Sequence, residues 1–304
     1  MKISYLLVTK NNSKTLEKSL NSLSGNILAI DLQSNDNTID ILKKYNVTYY
    51  VEDIDRQKAR NKLTLLCESD WVFHIEPWEI LVEKPKNKES GYVQIFHNTL
   101  ITKETRFWNK NKLNLVFENP IYPQIPDHLH NNSGGIIMSQ GNRLNLKEGI
   151  EIIEKWQKTE PKNKFIPYYK SFLYLENKQY QQFIQSAEEY LYLKNKYTIE
   201  ILNLKYYLAN VYFFIKNNPK KAIEIIMECI VAQPSMAEYW CFIGDIFYTI
   251  GKYDKAKSFY QNAILAGERR EDDWNSIEIE KYKNYPTKMI TQCQDIINQT
   301  LNKA

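Results

Sequence analysis

Residues Asp70–Leu81 read DWVFHIEPWEIL, and this stretch decides how the first half of the chain is interpreted. The apolar run Trp71–Ile75 has the length of one buried strand. Pro77 cannot donate a ladder hydrogen bond, so the strand should end just before it. Glu76 and Glu79 then stand beyond the strand end, where carboxylates can bind a hard cation or a sugar hydroxyl. The alternative is a solvated acidic turn, which the stretch taken alone favours.

Length and composition indicate an ordinary soluble protein. The chain of 304 residues is long enough for about two domains, with 43% hydrophobic and 25% charged residues. A net charge of +4 without a lysine-rich block does not indicate nucleic-acid binding. The longest apolar runs are about five residues, which predicts no transmembrane segment. The first residues turn polar too soon for a signal peptide, and four scattered cysteines predict reduced thiols in a cytoplasmic protein.

Short apolar runs alternate with helical patterns through the first half of the chain. The helical patterns place apolar residues three and four positions apart. This alternation predicts βαβ units and a parallel, Rossmann-like sheet in an α/β domain. The predicted strands are Ile3–Val8, Ile27–Ile30, Val47–Val51 and Trp71–Ile75.

Polar residues follow these predicted strands, at the edge where parallel sheets bind ligands. Thr9 and Asn11 follow the first strand, Asp31 closes the second, and Glu76 closes the fourth. Each of them has an alternative role as a helix cap or a solvated loop residue. For Ser13 and Asp36 we favour this cap or loop role. We favour ligand binding for Asp31 and Glu76, because these two end apolar strands that point toward the crevice.

The sequence contains no glycine-rich phosphate loop, neither GxGxxG after the first strand nor GxxxxGK[ST] anywhere. A phosphate would therefore have to be held by a metal ion, by arginine or lysine, or by both. Arg56 and Arg60 are four residues apart, near the start of a helix predicted at Gln57–Cys67, and share one face. The alternative for this pair is a solvated helix face.

Four stretches of this sequence, in this order and spacing, resemble the family 2 glycosyltransferases with the GT-A fold. The similarity is greatest to the bacterial group that carries tetratricopeptide repeats behind the transferase domain. The stretches are LLVTKNNSKTLEKSLNSL at 6–23, AIDLQSNDNTIDILKKY at 29–45, QKARNKL at 57–63 and DWVFHIEPWEIL at 70–81.

The family pattern of Asp followed by Gly-Ser-x-Asp-x-Thr is met by Asp31, Ser34, Asp36 and Thr38, with Gln33 in the glycine position. Its Ala-Arg-Asn is met by Ala59, Arg60 and Asn61. The resemblance implies a nucleotide-sugar site formed by Thr9, Asn11, Asp31, Ser34, Asp36, Arg56, Glu76 and Trp78.

The sequence departs from the family where the chemistry would take place. The family's Asp-x-Asp-Glu reads Glu76-Pro77-Trp78-Glu79, so that an indole replaces the second acid. Tyr122 and Pro123 stand where the group often has a His-Glu pair. The family's general base therefore has no counterpart in that loop. Trp78 can stack on a sugar or base, or simply pack under a lid.

The resemblance implies an inverting glycosyltransferase that uses a nucleotide sugar, expected to be a UDP-sugar, and an unknown acceptor. Glu79 is the candidate base and Arg60 the candidate stabiliser of the leaving diphosphate. Glu76, Glu79 and His130 are candidate ligands of a weakly held Mn²⁺ or Mg²⁺, with His128 as the second choice for the histidine. Both histidines could equally be exposed loop residues. The altered acids leave open an alternative function, a catalytically inactive pseudo-glycosyltransferase that acts as a repeat-type binding or scaffold protein.

Further strands should complete the sheet after the acid motif. The pattern predicts strands at Tyr92–Phe96, Arg106–Trp108 and Leu113–Phe117. Three prolines then predict an irregular path up to Gly134-Gly135, which we interpret as a hinge that lets this segment move as a lid.

From about residue 145 the pattern changes to successive helices with a period near 34 residues. We therefore predict a nucleotide-sugar domain over 1–145 and an all-α repeat domain over 146–304. The groove of the repeats could hold an acceptor protein, peptide or glycan, or a second copy of the chain in a homodimer. The clearest unit places Trp240, Ile243, Gly244, Phe247, Tyr253, Ala256, Tyr260 and Ala263 at tetratricopeptide positions.

Overall fold

The computed structural model describes residues 2–86, 89–97, 100–118, 120, 125, 132–139, 146–193, 198–268 and 276–302. The chain divides into two compact units, Met1–Pro161 and Lys162–Ala304. The first unit contains the sheet, and the second consists mainly of helices.

The first unit begins with three strand–helix pairs and continues into a strand-rich part. Its strands are β1 (Ile3–Thr9), β2 (Asn26–Asp31), β3 (Thr48–Val51), β4 (Trp71–His74), β5 (Glu79–Glu83), β6 (Gly91–His97), β7 (Leu100–Asn109) and β8 (Asn132–Ser139). Its helices are α1 (Leu16–Ser22), α2 (Thr38–Lys44), α3 (Arg56–Leu66) and α4 (Leu146–Thr159).

The strands of this unit lie in the order β3-β2-β1-β4-β7-β6-β8-β5. The first four are parallel, as the strand–helix alternation predicts, and β7 then pairs antiparallel with β4. Thr9 and Asp31 are register partners at the ends of β1 and β2, while Leu6 pairs with His74 on β4. The carboxyl ends of β1, β2 and β4 therefore lie side by side.

Apolar side chains fill both faces of the parallel strands. Tyr5 and Leu7 of β1 pack in one buried cluster with α1, and Leu6 and Val8 pack in another with Leu63 of α3. Successive residues of a strand point to opposite faces, and helices cover both faces of this sheet. This explains why β1 reads as a continuous apolar run rather than as an alternating one.

Two sequence predictions for the middle of the chain are wrong. Residues Leu113–Phe117 do not form a strand, because Asn61 of α3 satisfies the Phe117 backbone instead. The Phe117 N–H donates to Asn61 Oδ1 at 2.8 Å, and Asn61 Nδ2 donates to the Phe117 carbonyl at 3.0 Å.

Gly134 and Gly135 do not form a lid hinge, because they lie inside β8, between β6 and β5. A Cβ atom at Gly135 would lie 2.8 Å from Val93 Cγ1 on β6, so side-chain packing across the sheet requires the glycine there.

The second unit is a succession of helices followed by a short strand, a 3-10 turn and a last helix. The helices pair in sequence order, and within the pair α9–α10 a Cβ atom at Gly244 would lie 2.6 Å from the Tyr260 ring. No helix among the described residues is long and apolar enough to cross a membrane. The elements are α5 (Ile166–Glu176), α6 (Tyr180–Tyr192), α7 (Ile199–Phe214), α8 (Pro219–Ala232), α9 (Ala237–Thr249), α10 (Tyr253–Glu268), β9 (Ser276–Glu278), the 3-10 helix Ile279–Tyr282 and α11 (Tyr285–Leu301).

Candidate functional site

The ends of β1 and β2 are joined by hydrogen bonds that converge on Asp31. Thr9 Oγ1 donates to Asp31 Oδ2 at 2.7 Å. The Ser34 N–H donates to Asp31 Oδ1 at 2.7 Å, and its hydroxyl donates to Oδ2 at 2.6 Å. The Asp31 residue is fully buried. Its hydrogen bonds connect the turn after β2 to the end of β1. Its contact with a nucleotide stays a prediction.

Two residues of this edge have left-handed backbone, which side chains other than glycine rarely adopt. Gln33, in the position of the family's glycine, has φ 57°, and Asn11 has φ 54°. The Asn11 N–H donates to Ser34 Oγ at 2.8 Å, and Asn11 Oδ1 accepts from the Asn35 N–H at 2.9 Å. The turn after β2 thus holds a side chain larger than glycine, Gln33, in a left-handed conformation.

Asp36 acts inside the protein as a local hydrogen-bond acceptor. Its carboxylate accepts from the Ser13 N–H at 3.0 Å and from the Thr38 N–H at 3.0 Å. Partial burial would raise the pKa of Asp36, but the hydrogen bonds from Ser13 and Thr38 lower it to about 2. The carboxylate therefore links the loop after β1 to the start of α2. The N-cap residue of α2 is Asn37, so Asp36 precedes the cap, and its contact with a nucleotide stays a prediction.

The two acids of the central stretch are buried and held by arginines. Glu76 Oε1 pairs with Arg60 Nη2 and lies 3.3 Å from Arg106 Nη1. Glu79 Oε1 lies 3.4 Å from Arg106 Nη2, and Glu79 Oε2 accepts from the Glu76 N–H at 2.8 Å. The side chains of both acids are less than 7% exposed. The stretch is therefore a buried ion-pair cluster and not a solvated turn.

The cluster shifts the pKa values of its acids in opposite directions. Burial would raise the pKa of Glu76, but Arg60, Arg106 and Arg56 lower it below its usual value. Burial raises the pKa of Glu79 to about 7, and Arg106 opposes this shift only in part. Glu76 is thus the ionised partner of the arginines, while Glu79 changes charge near neutral pH. A group with a pKa near the working pH has the proton affinity that a general base needs.

Trp78 lies next to an arginine in the folded chain. The Arg56 guanidinium stands 5.7 Å from the centre of the Trp78 ring, and Arg56 Nη1 donates to the Val8 carbonyl at 3.5 Å. The Trp78 residue is half-buried. Cation–π contacts of this kind contribute about 0.5–1 kcal/mol at exposed sites.

The predicted metal site has only two of its three ligands in the described part of the chain. Glu76 and Glu79 lie together, but His130 and the alternative His128 lie outside the described residues. Within the described ranges no group of three or more His, Cys, Asp and Glu side chains is placed to hold a metal ion. The arginine partners of Glu76 and Glu79 already supply positive charge there. Binding of Mn²⁺ or Mg²⁺ stays a prediction.

Sequence reasoning missed Arg106. It lies in β7 beside Phe107, which pairs with Phe73 of β4, and this pairing brings the arginine to the acids after β4. An arginine directly before the aromatic pair Phe107–Trp108, in a predicted strand, is the signal that the sequence offers. The antiparallel neighbour of β4 cannot be identified from local pattern, so the partner of this arginine could not be predicted.

The second unit carries two acids on one face of α9. Glu238 is 4% exposed, and Asp245 accepts a hydrogen bond from the Tyr260 hydroxyl at 2.7 Å. They are seven residues apart, two helical turns, and so lie on the same side of the helix. The repeat pattern in the sequence did not predict a functional role for either acid.

Comparison with known proteins identifies part of this unit. The tetratricopeptide-repeat family model matches residues 237–266, which are α9, most of α10 and the turn between them. No curated protein sequence matches the chain. The repeat prediction is thus confirmed for the clearest unit, while no match supports the resemblance of the first unit to glycosyltransferases.

Two solved structures are similar to the helical part. The Sgt2 TPR domain from Aspergillus fumigatus has a TM-score of 0.36 and 15% identity, and the match covers 47% of this chain and 83% of that one. MamA MSR-1 C2 has a TM-score of 0.35 and 15% identity, with 41% and 68% covered. At such scores neither structure adds to the match of the repeat family.

Proposed function

We propose that this chain is a binding or scaffold protein whose helical repeats hold a peptide or protein partner. The observation that carries the proposal is the repeat match over 237–266. Stacked helix pairs of this kind bury their apolar faces against one another and leave an extended concave surface for a partner. The acids Glu238 and Asp245 on one face of α9 would favour a partner with positive charge or free N–H donors.

In the first unit, Arg60 and Arg106 hold the buried acids Glu76 and Glu79. Both arginines contact Glu76 Oε1, whereas Glu76 Oε2 is buried without a hydrogen-bond partner among the described residues. This unit therefore gives the binding proposal no support of its own, and a cation at these acids stays a separate proposal.

A peptide array tests the binding role. The labelled full-length chain should select particular peptides, and titration should give dissociation constants that Asp245→Asn weakens at least tenfold. Asp254→Asn on the exposed side of α10 is the matched control and should leave the affinities unchanged. The absence of any peptide that depends on Asp245 would contradict this proposal.

The second candidate function is nucleotide-sugar binding or transfer by the first unit. One observation favours it: β1, β2 and β4 are parallel neighbours, so that Thr9, Asp31 and Glu76 share one sheet edge. In this proposal Asn11, Ser34, Asp36, Arg56 and Trp78 complete the binding site, Arg60 and Glu79 carry out the transfer, and Glu76, Glu79 and His130 hold the metal.

A panel of UDP-sugars, incubated with the full-length chain with Mn²⁺ and with EDTA, tests this candidate. Released UDP above the buffer rate, lost in Glu79→Gln, would establish the transferase and remove the scaffold as the main function. Thermal stabilisation by UDP without turnover would indicate that the first unit binds the nucleotide but does not transfer a sugar. Neither UDP release nor stabilisation by UDP is expected if the first unit does not bind nucleotides.

A further inference from the structure

The segment that follows the last repeat lies along the face of α9 that carries the two acids. We call residues 278–285 the strap; it contains the end of β9, the 3-10 helix Ile279–Tyr282 and the first residue of α11. Every strap side chain is half-buried or exposed. The rings of Tyr282 and Tyr285 pack, partly buried, against the apolar cluster that contains Ala237, Cys241 and Tyr260.

The strap contacts Glu238 through both backbone and side-chain groups. The backbone N–H of Glu278 donates to Glu238 Oε1 at 3.0 Å, and the Tyr282 hydroxyl donates to Glu238 Oε2. The same hydroxyl accepts from the Ala237 N–H at 3.2 Å. On α7, the Tyr206 hydroxyl donates to Glu278 Oε1 at 2.7 Å. Backbone and side-chain groups of the strap thus bridge two helices from neighbouring repeats.

Asp245 receives the other end of the strap. Lys281 Nζ lies 3.2 Å from Asp245 Oδ2, and the Tyr285 hydroxyl donates to Oδ1 at 2.5 Å. Lys281 also stands 3.7 Å above the Tyr285 ring. One turn before Asp245, the Cys241 thiol faces the Lys281 carbonyl at 4.0 Å. We call the surface formed by Tyr206, Ala237, Glu238, Cys241 and Asp245 the α9 groove.

The helix after the strap is attached differently. Met289 and Cys293 of α11 are buried in one apolar cluster with Ala256 and Ala263 of α10. These two side chains of α11 lie inside the cluster, whereas Tyr282 and Tyr285 of the strap are only partly buried against it. Release of the strap would separate Tyr282 and Tyr285 from this cluster, while Met289 and Cys293 would keep α11 packed.

We propose that the strap is an intramolecular ligand that occupies the partner site of the repeats and is displaced by a peptide of similar chemistry. Such a peptide would carry an acidic residue followed by an adjacent lysine and tyrosine, as Glu278, Lys281 and Tyr282 do here. The proposal rests on the binding function above and names its site and partner class. A tethered segment acts at an effective concentration in the millimolar range, so the strap would exclude weak ligands and admit tight ones.

The test is a synthetic peptide with the sequence of residues 276–287, SIEIEKYKNYPT, labelled with fluorescein. The full-length chain with Lys281→Ala and Tyr282→Phe weakens the strap and leaves the α9 groove intact. This released variant should bind the peptide at least tenfold more tightly than the natural chain does. Adding Asp245→Asn to it should abolish the gain.

Two controls separate release of the strap from unrelated effects. Lys283→Ala with Tyr192→Phe makes the same kinds of substitution at two exposed positions and should bind like the natural chain. A labelled peptide in which alanine replaces the lysine at position 281 and phenylalanine replaces the tyrosine at position 282 should not bind the released variant. Far-ultraviolet circular dichroism checks that each variant keeps its helices. Equal binding by the natural chain and a folded released variant, or no binding by either, would overturn the proposal.

Failure of this proposal is distinguishable from failure of the binding function. The peptide array is probed with both the natural chain and the released variant. Array peptides held equally by both, with loss on Asp245→Asn, would leave the binding function standing and refute the strap as a competitor. Binding of the strap peptide alone, with no array peptide selected, would support the strap and contradict an external partner.

Discussion

Glu79 is the acid in the central cluster whose charge depends most on its surroundings. It faces Arg106, Glu76 and Glu104, and burial raises its pKa to about 7. In the unfolded chain a glutamate titrates near 4.3. At a pH between these two pKa values, Glu79 is protonated in the folded protein and ionised in the unfolded chain.

Stability should therefore fall as the pH rises from about 4.5 to about 7, since the folded state binds more protons than the unfolded state in that window. The loss attributable to Glu79 is on the order of 3 kcal/mol, at 1.36 kcal/mol per unit of pKa shift. Urea unfolding of the natural chain and of Glu79→Gln, followed by tryptophan fluorescence at several pH values, measures it. The stability difference between the two proteins should change across this window. A difference that is constant with pH would show that Glu79 does not titrate there.

At the scale of single elements, the pair α9–α10 shows how a small residue sets the geometry of a repeat. Gly244 faces the Tyr260 ring, and the Tyr260 hydroxyl in turn donates to Asp245 on α9. The close approach that glycine allows therefore also places an acid of the α9 groove. Packing and the proposed binding surface depend on the same contact.

Gly244→Ala should destabilise the second unit by about 1–3 kcal/mol, because the added Cβ atom overpacks against Tyr260. This loss would exceed the gain of up to about 1 kcal/mol that alanine brings to a helix interior. Thermal unfolding measures it, with Ser258→Ala at an exposed position of α10 as the control. Tyr260→Leu should recover part of the loss in the double variant. A Gly244→Ala protein as stable as the natural chain would refute this account of the packing.

At the scale of the whole molecule, each unit has its own apolar core. The buried clusters of the first unit draw on residues between Tyr5 and Ile137, and those of the second on residues between Phe183 and Cys293. Such separate cores are typical of domains that fold as units.

A fragment that ends at Pro161 should therefore keep the sheet and unfold cooperatively. Far-ultraviolet circular dichroism and thermal melting measure this, and a fragment that ends at His97 is the control. That shorter fragment lacks β7 and β8, the neighbours of β4, β5 and β6, and should not fold. A fragment ending at Pro161 that lacks a cooperative transition would mean that the first unit depends on the second.

The sequence alone predicts the parallel part of the sheet and the helical repeats, because each is encoded by a local pattern that recurs along the chain. Strand–helix alternation predicts β1 to β4, and spacing at a fixed period predicts α9 and α10. The predicted polar edge of Thr9, Asp31 and Glu76 follows from the same rule, because parallel neighbours end on one side. The roles of these residues toward a nucleotide stay predictions.

Tertiary structure decided the rest, because long-range pairing determines what lies beside each residue. The pairing of β7 with β4 brings Arg106 to Glu76 and Glu79 and turns an open acid motif into a buried cluster. The position of β8 inside the sheet turns an apparent glycine hinge into a packing contact. The strap meets Glu238 from a position forty residues further along the chain. No local pattern encodes these contacts, since each joins segments that are distant in sequence and that only the fold brings together.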